Sequence, residues 1–150
     1  MSDGHAHGDG DHGDHEHELR YLSGGAQPEV FAATAALDFG RPASQAAVES
    51  AVAAFLGRLG AALAAAGCIL VGHIKGVVTA EGGDELEFSL TRVDADPRFG
   101  GTLATATRRA DLTLNVIVFG VDAEALPGLV TGAWADGDPS AAWREAGAAT

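Results

Sequence analysis

The chain has 150 residues, enough for one domain with a sizeable core, and its content of 47% hydrophobic and 20% charged residues is that of a globular protein. Its formal net charge is −12, and a surface that acidic repels phosphate backbones and anionic lipids, so we expect neither nucleic acid nor a membrane as partner. The sequence has no basic-then-apolar leader and no apolar run near the roughly 20 residues that span a bilayer, which predicts a cytoplasmic protein.

Five of the six histidines lie within the first seventeen residues, interleaved with acids: His5, His7, His12, His15 and His17. Imidazole and carboxylate are ligands that divalent transition metals accept, so this composition predicts binding of zinc, nickel or cobalt. The glycines between the ligands predict a flexible arm whose ordering costs backbone entropy, so we expect exchangeable, near-micromolar binding, about −8 kcal/mol. The alternative is an acidic tail that only keeps the chain soluble.

The first predicted elements follow this arm. Residues 1–27 are predicted to be the flexible metal-binding tail and its linker. Residues 29–39 alternate in the manner of a strand. Ser44 then has the character of an N-cap for a helix that runs to Ala66 and stops at Gly67, with apolar residues at three- and four-residue spacings.

The second half of the chain is predicted to be mainly strands. Residues 68–80 and 85–93 form a hairpin around the turn at 81–84, and a loop at 94–107 leads into a strand at 110–121. Asp122 caps a short helix over 123–133, and the tail beyond it, 135–150, has Trp143 as its one candidate anchor.

The resulting order, β-α-β-β-β-α, predicts an α+β fold: a two-layer sandwich with a mostly antiparallel four-stranded sheet and helices on one face. Alternation along the strands predicts one apolar face, to which Leu70 and Ile74 are assigned, and one polar face. We predict one domain, residues 28–134, between the two tails.

The polar face is the second candidate site, with His73 and Lys75 on one strand and Asn115 on another. Two cation-capable side chains flanked by Gly72 and Gly76 can receive an anion or a carboxylate. The plainer interpretation is a solvated surface on which Lys75 pairs with Glu87 across the hairpin.

Motifs that carry catalysis do not occur in this sequence. It contains no GxxxxGK[ST] phosphate loop, no HExxH, no GxSxG and no CxxC. Cys68 is the only cysteine, which excludes a disulfide framework and a thiolate-based zinc site, and it is predicted to be a small core residue. We therefore expect a protein that is not an enzyme; a small enzyme using the polar face is the least favoured alternative.

Several segments together resemble the C-terminal domain of the CobW-type GTPase metallochaperones. They are HGDGDHGDHEHE ahead of EVFAATAALDF, the strand ending in HIKGVV, and the strand-to-helix passage LNVIVFGVDAEALPGLV, with Lys75-Gly76 and the Phe-Gly-x-Asp segment at 119–122 as the matching positions. The similarity covers about residues 28–134 and the arm. The GTPase domain and cysteine motif of the family do not occur here. The resemblance implies a stand-alone accessory module that handles metal or docks onto a partner, such as a CobW-type GTPase or a metalloenzyme client.

The sequence therefore favours a metallochaperone or metal buffer that takes metal through the histidine-rich arm, without GTPase activity. The other hypothesis is an interaction or small-ligand-binding module that uses the polar face around His73, Lys75 and Asn115. The oligomeric state is left open by both.

Overall fold

The computed structural model describes residues 27–135 and 139–145, which form six strands and two helices. In chain order these are β1 (Pro28–Ala43), α1 (Gln45–Ala65), β2 (Leu70–Ala80), β3 (Glu85–Leu90), β4 (Arg98–Gly101), β5 (Thr107–Phe119), α2 (Leu126–Ala135) and β6 (Ser140–Glu145). The strands build one sheet in the order β4-β3-β2-β5-β1-β6, and each neighbouring pair is antiparallel. The predicted α+β class is confirmed.

Helix α1 forms where its capping residues and apolar spacing predict it. The Ser44 hydroxyl accepts a hydrogen bond from the Ala47 N–H at 3.2 Å, which satisfies one of the free donors of the first turn. Gly67, at φ +89°, lets the chain turn away after the last helical residue. The buried stripe of α1 consists of Val48, Val52, Phe55, Leu56, Leu59, Gly60 and Leu63.

One core lies between the helices and a single face of the sheet. The inward residues of the strands alternate with exposed ones, as in β5, where Leu112, Leu114, Val116 and Val118 are fully buried. Phe55 of α1 packs on Trp134 of α2 at a ring-centroid distance of 4.6 Å. Because both described helices share this core, the opposite face of the sheet carries none of them, and we call it the open face.

The sheet has six strands, so the prediction of four strands is wrong. The two strands that were not predicted are the edge strands, β4 and β6. β4 lies inside the segment predicted to be a loop, and β6 lies in the segment predicted to be a tail. Both are short, and neither has a run of β-branched residues. Pairing holds them in place, β4 on β3 through Phe99 and Phe88, and β6 on β1 along residues 140–145. Trp143 anchors β6 through edge-on contacts with Phe31 and Trp134.

A bulge changes which residues of β2 face the core. Leu70 and Val71 pair with Phe119 and Val118, but the next paired residue is His73, so Gly72 is the extra residue. The assignment of Leu70 to the apolar face is therefore wrong: Val71 is buried and Leu70 only half-buried.

By length and composition alone, α1 could cross a membrane: it has 21 residues and a mean hydropathy of 1.4 in its most apolar window. The expectation that the sequence has no apolar run of this length therefore does not hold for α1. The core helix of a globular domain has the same properties, and the buried stripe of α1 packs against the sheet.

Candidate functional site on the open face

The predicted metal ligands His5, His7, His12, His15 and His17 lie outside the described residues, which begin at Gln27. The other predicted site, the polar face, is described in full. It is the open face of the sheet, and the register of the strands determines which of its side chains are neighbours.

Four polar residues form a row across four strands of the open face. Lys75 of β2 lies opposite Asn115 of β5 on one side and opposite Ser89 of β3 on the other. Ser89 in turn lies opposite Arg98 of β4. Residues directly opposite one another share a face, with Cβ atoms about 5 Å apart. Lys75, Arg98 and Asn115 are exposed. We call Lys75, Ser89, Arg98 and Asn115 the cationic row.

His73 lies on the same face as Lys75, one pleat further along β2. It is half-buried and lies opposite Ile117 of β5. The structure therefore brings Lys75 and Asn115 together directly, with His73 beside them next to an apolar neighbour.

The predicted ion pair between Lys75 and Glu87 is wrong. The turn after β2 places Thr79 opposite Glu85, and this register puts Glu87 opposite Val77 and Lys75 opposite Ser89. A Cβ built on Gly100 would lie 3.9 Å from Oε2 of Glu87, so this carboxylate lies over β4. Within residues 27–135 and 139–145, the ion pairs shorter than 4 Å are Arg92–Asp94 and Arg109–Asp38.

The cationic row lies in a shallow groove of about 440 Å³, open to solvent. All four members of the row line it, together with Glu87 and Val77. His73 is not among its lining residues. The volume is in the range of small-molecule sites, but such sites bury most of their ligand, which an open groove of this kind does not. The groove is better suited to a partner surface.

A second row of charges, opposite in sign, crosses the open face further along the strands. Thr79 of β2 lies opposite Glu85 of β3 and opposite Asp111 of β5, and both acids are exposed. We call Thr79, Glu85 and Asp111 the acidic row. It is four residues from the cationic row along β2, about 13 Å at the usual rise of a strand. The two rows thus have opposite signs. Glu87 and Arg144 lie between them on the same face, and beyond the acidic row Arg109 forms an ion pair with Asp38.

In the described part of the chain, no three or more His, Cys, Asp or Glu side chains form a group that could hold a metal ion. Cys68 is half-buried, and its Sγ lies 3.5 Å from the Leu70 carbonyl oxygen. Burial raises the pKa of the Cys68 thiol, which favours the protonated form over the thiolate that metals bind. Cys68, predicted to be a small core residue, is only partly buried and packs against the core from outside it.

Sequence reasoning missed Arg98 and Ser89 as neighbours of Lys75. Alternation along the predicted strand 85–93 places Ser89 on the polar face, but its position opposite Lys75 depends on the hairpin register. Arg98 belongs to β4, a strand of four residues that contains two glycines. Comparison of the chain with protein-family models, curated proteins and solved structures finds no match.

Proposed function

We propose that the chain is a metal-binding accessory protein, a metallochaperone or metal buffer that captures zinc, nickel or cobalt through its histidine-rich arm. The observation that carries the proposal is the composition of residues 1–18, which hold five histidines and six acids. Imidazoles at this density offer many combinations of two or three ligands without a preformed site. By resemblance, a CobW-type GTPase or a metalloenzyme would receive the metal, and the chain itself would hydrolyse no nucleotide.

The low expected affinity of a flexible arm fits this proposal. Reversible binding near micromolar suits capture and handover, because a carrier has to release its metal.

Calorimetric titration of zinc into the full chain tests the proposal. Replacing the five arm histidines with glutamine (His5→Gln, His7→Gln, His12→Gln, His15→Gln and His17→Gln) should weaken zinc binding about 100-fold or more, since each tenfold corresponds to about 1.4 kcal/mol. His73→Gln is the matched control and should bind zinc as the unaltered chain does. If the five-fold variant retains the affinity and stoichiometry of the unaltered chain, the arm is not the metal site.

A second candidate function, an interaction module that works through the open face, is favoured by the cationic row. Lys75 and Arg98 lie in one groove without an ion-pair partner within 4 Å among the described residues, on a chain with a net charge of −12. Two cations without an ion pair inside the described part of an acidic protein suggest a surface that receives carboxylates. If this surface acts independently of the arm, Lys75→Ala should leave zinc uptake unchanged.

A further inference from the structure

We infer that the open face is a dimerisation surface whose partner is a second copy of this chain, with the cationic row of each copy against the acidic row of the other. This inference rests on the second candidate function and names its partner. The signs and positions of the two rows make the open face complementary to itself.

A two-fold axis can bring two open faces together in two simple ways. An axis parallel to the strands places the cationic row of one copy over the cationic row of the other, which repels. An axis across the strands, parallel to the line from Val77 to Thr113, makes the strands of the two copies run in opposite directions. It places the cationic row of each copy over the acidic row of the other. Two-fold interfaces bury the same patch of both copies, so the charge pattern selects the second arrangement.

In that arrangement the contacts follow from the register. Lys75 comes to lie over Thr79 of the second copy, which is flanked by Glu85 and Asp111. Glu85 of the second copy comes to lie over Ser89, which is flanked by Lys75 and Arg98. Each copy thus contributes two cations and two acids, and the symmetry forms every pairing twice.

The residues between the two rows permit close approach. In the middle of the open face, Val77, Thr113 and Thr34 have short side chains. Glu87 and Arg144 extend the same row toward the two edges of the sheet, and the axis sets each of them against its own copy. Sheets that pack face to face lie about 10 Å apart, a spacing that short side chains allow. The two helices remain on the outer sides of the dimer, because they pack on the opposite face of each sheet.

Light scattering coupled to gel filtration on the full chain, with EDTA present, tests the inference. EDTA prevents metal-bridged arms from joining two chains, so this experiment is independent of the zinc titration. A monomer that binds zinc would refute only the proposed dimer. An EDTA-resistant dimer that takes up no zinc would refute only the proposed metal binding by the arm. We expect a species of twice the 15.1 kDa chain mass at high protein concentration. A monomer up to 500 μM would overturn the inference.

Charge reversal identifies the surface. Lys75→Glu with Arg98→Glu, and separately Glu85→Lys with Asp111→Lys, should each raise the dimer dissociation constant at least tenfold, because each sets like charges against one another. An equimolar mixture of the two variants should dimerise again, since each charged row then faces a row of opposite sign. Glu49→Lys with Glu124→Lys, which also reverses two acids but in α1 and just before α2, should dimerise like the unaltered chain. Failure of the mixture to dimerise, or a dimer insensitive to both reversals, would overturn the pairing; circular dichroism verifies that each variant is folded.

Discussion

Gly76→Val should cost the protein much of its stability, about 3 kcal/mol or more. Gly76 lies in β2, between β3 and β5, and its Cα faces the core beneath the ring of Phe88. A Cβ at this position would overlap Cζ of Phe88 and would lie 2.6 Å from Cε1 of the same ring and 2.9 Å from the Thr113 carbonyl oxygen. Phe88 is 3% exposed and the oxygen belongs to the backbone of a central strand, so neither can move without disturbing the sheet.

Gly57→Ala is the matched control for this prediction. Gly57 is exposed in the middle of α1, and a Cβ there meets no atom within 4 Å. Alanine restricts the unfolded chain and favours the helix, so this variant should be more stable by roughly 1 kcal/mol. Urea unfolding followed by circular dichroism measures both. Equal midpoints for Gly76→Val and the unaltered protein would show that β2 does not pass beneath Phe88 as described.

Trp134→Ala should destabilise the protein by about 3–5 kcal/mol, the usual loss when a large aromatic is removed from a core. The indole is 2% exposed and contacts Phe55 of α1 and Trp143 of β6. Its Nε1–H donates to the Pro139 carbonyl oxygen at 2.7 Å. One side chain thus joins both helices to the edge strand, and its loss should release β6 as well as leave a cavity.

Trp134→Phe separates the hydrogen bond from the packing. It keeps an aromatic ring and removes the donor to Pro139, so we expect a loss of about 1–2 kcal/mol. Urea midpoints measure this difference, and the near-ultraviolet circular dichroism of Trp143 reports whether β6 stays in place. If Trp134→Ala is no less stable than Trp134→Phe, the indole does not hold the core together.

The central part of the fold could be predicted because its residues carry strong local signals. Ser44 and Gly67 bound a helix with a regular apolar stripe, and the central strands alternate in the pattern of a sheet with one buried face. The edge strands have weaker signals. β4 is four residues long and β6 has only Trp143 as a large apolar residue, so both depend on pairing partners that are distant in the sequence.

Of the candidate site, only the face of the sheet on which each side chain lies could be predicted, because alternation is a local pattern. Alternation places Lys75 and Asn115 on the polar face, and the register then makes them direct neighbours. It cannot give the partner of Lys75 across the hairpin, because a shift of two residues changes that partner from Glu87 to Ser89 without changing the face. Nor can it give Arg98, whose strand was not predicted. The sign pattern of the open face therefore emerges only from the structure.

The most direct test of the central claim, that the arm binds the metal, is nuclear magnetic resonance of the full ¹⁵N-labelled chain during a zinc titration. We predict that the amide signals of residues 3–18 shift or broaden as zinc is added, while those of the domain, including Lys75 and Asn115, keep their positions. Saturation of the changes near one equivalent, at the calorimetric affinity, would join the two measurements. Changes centred on the open face, or an arm whose signals do not respond to zinc, would contradict the claim.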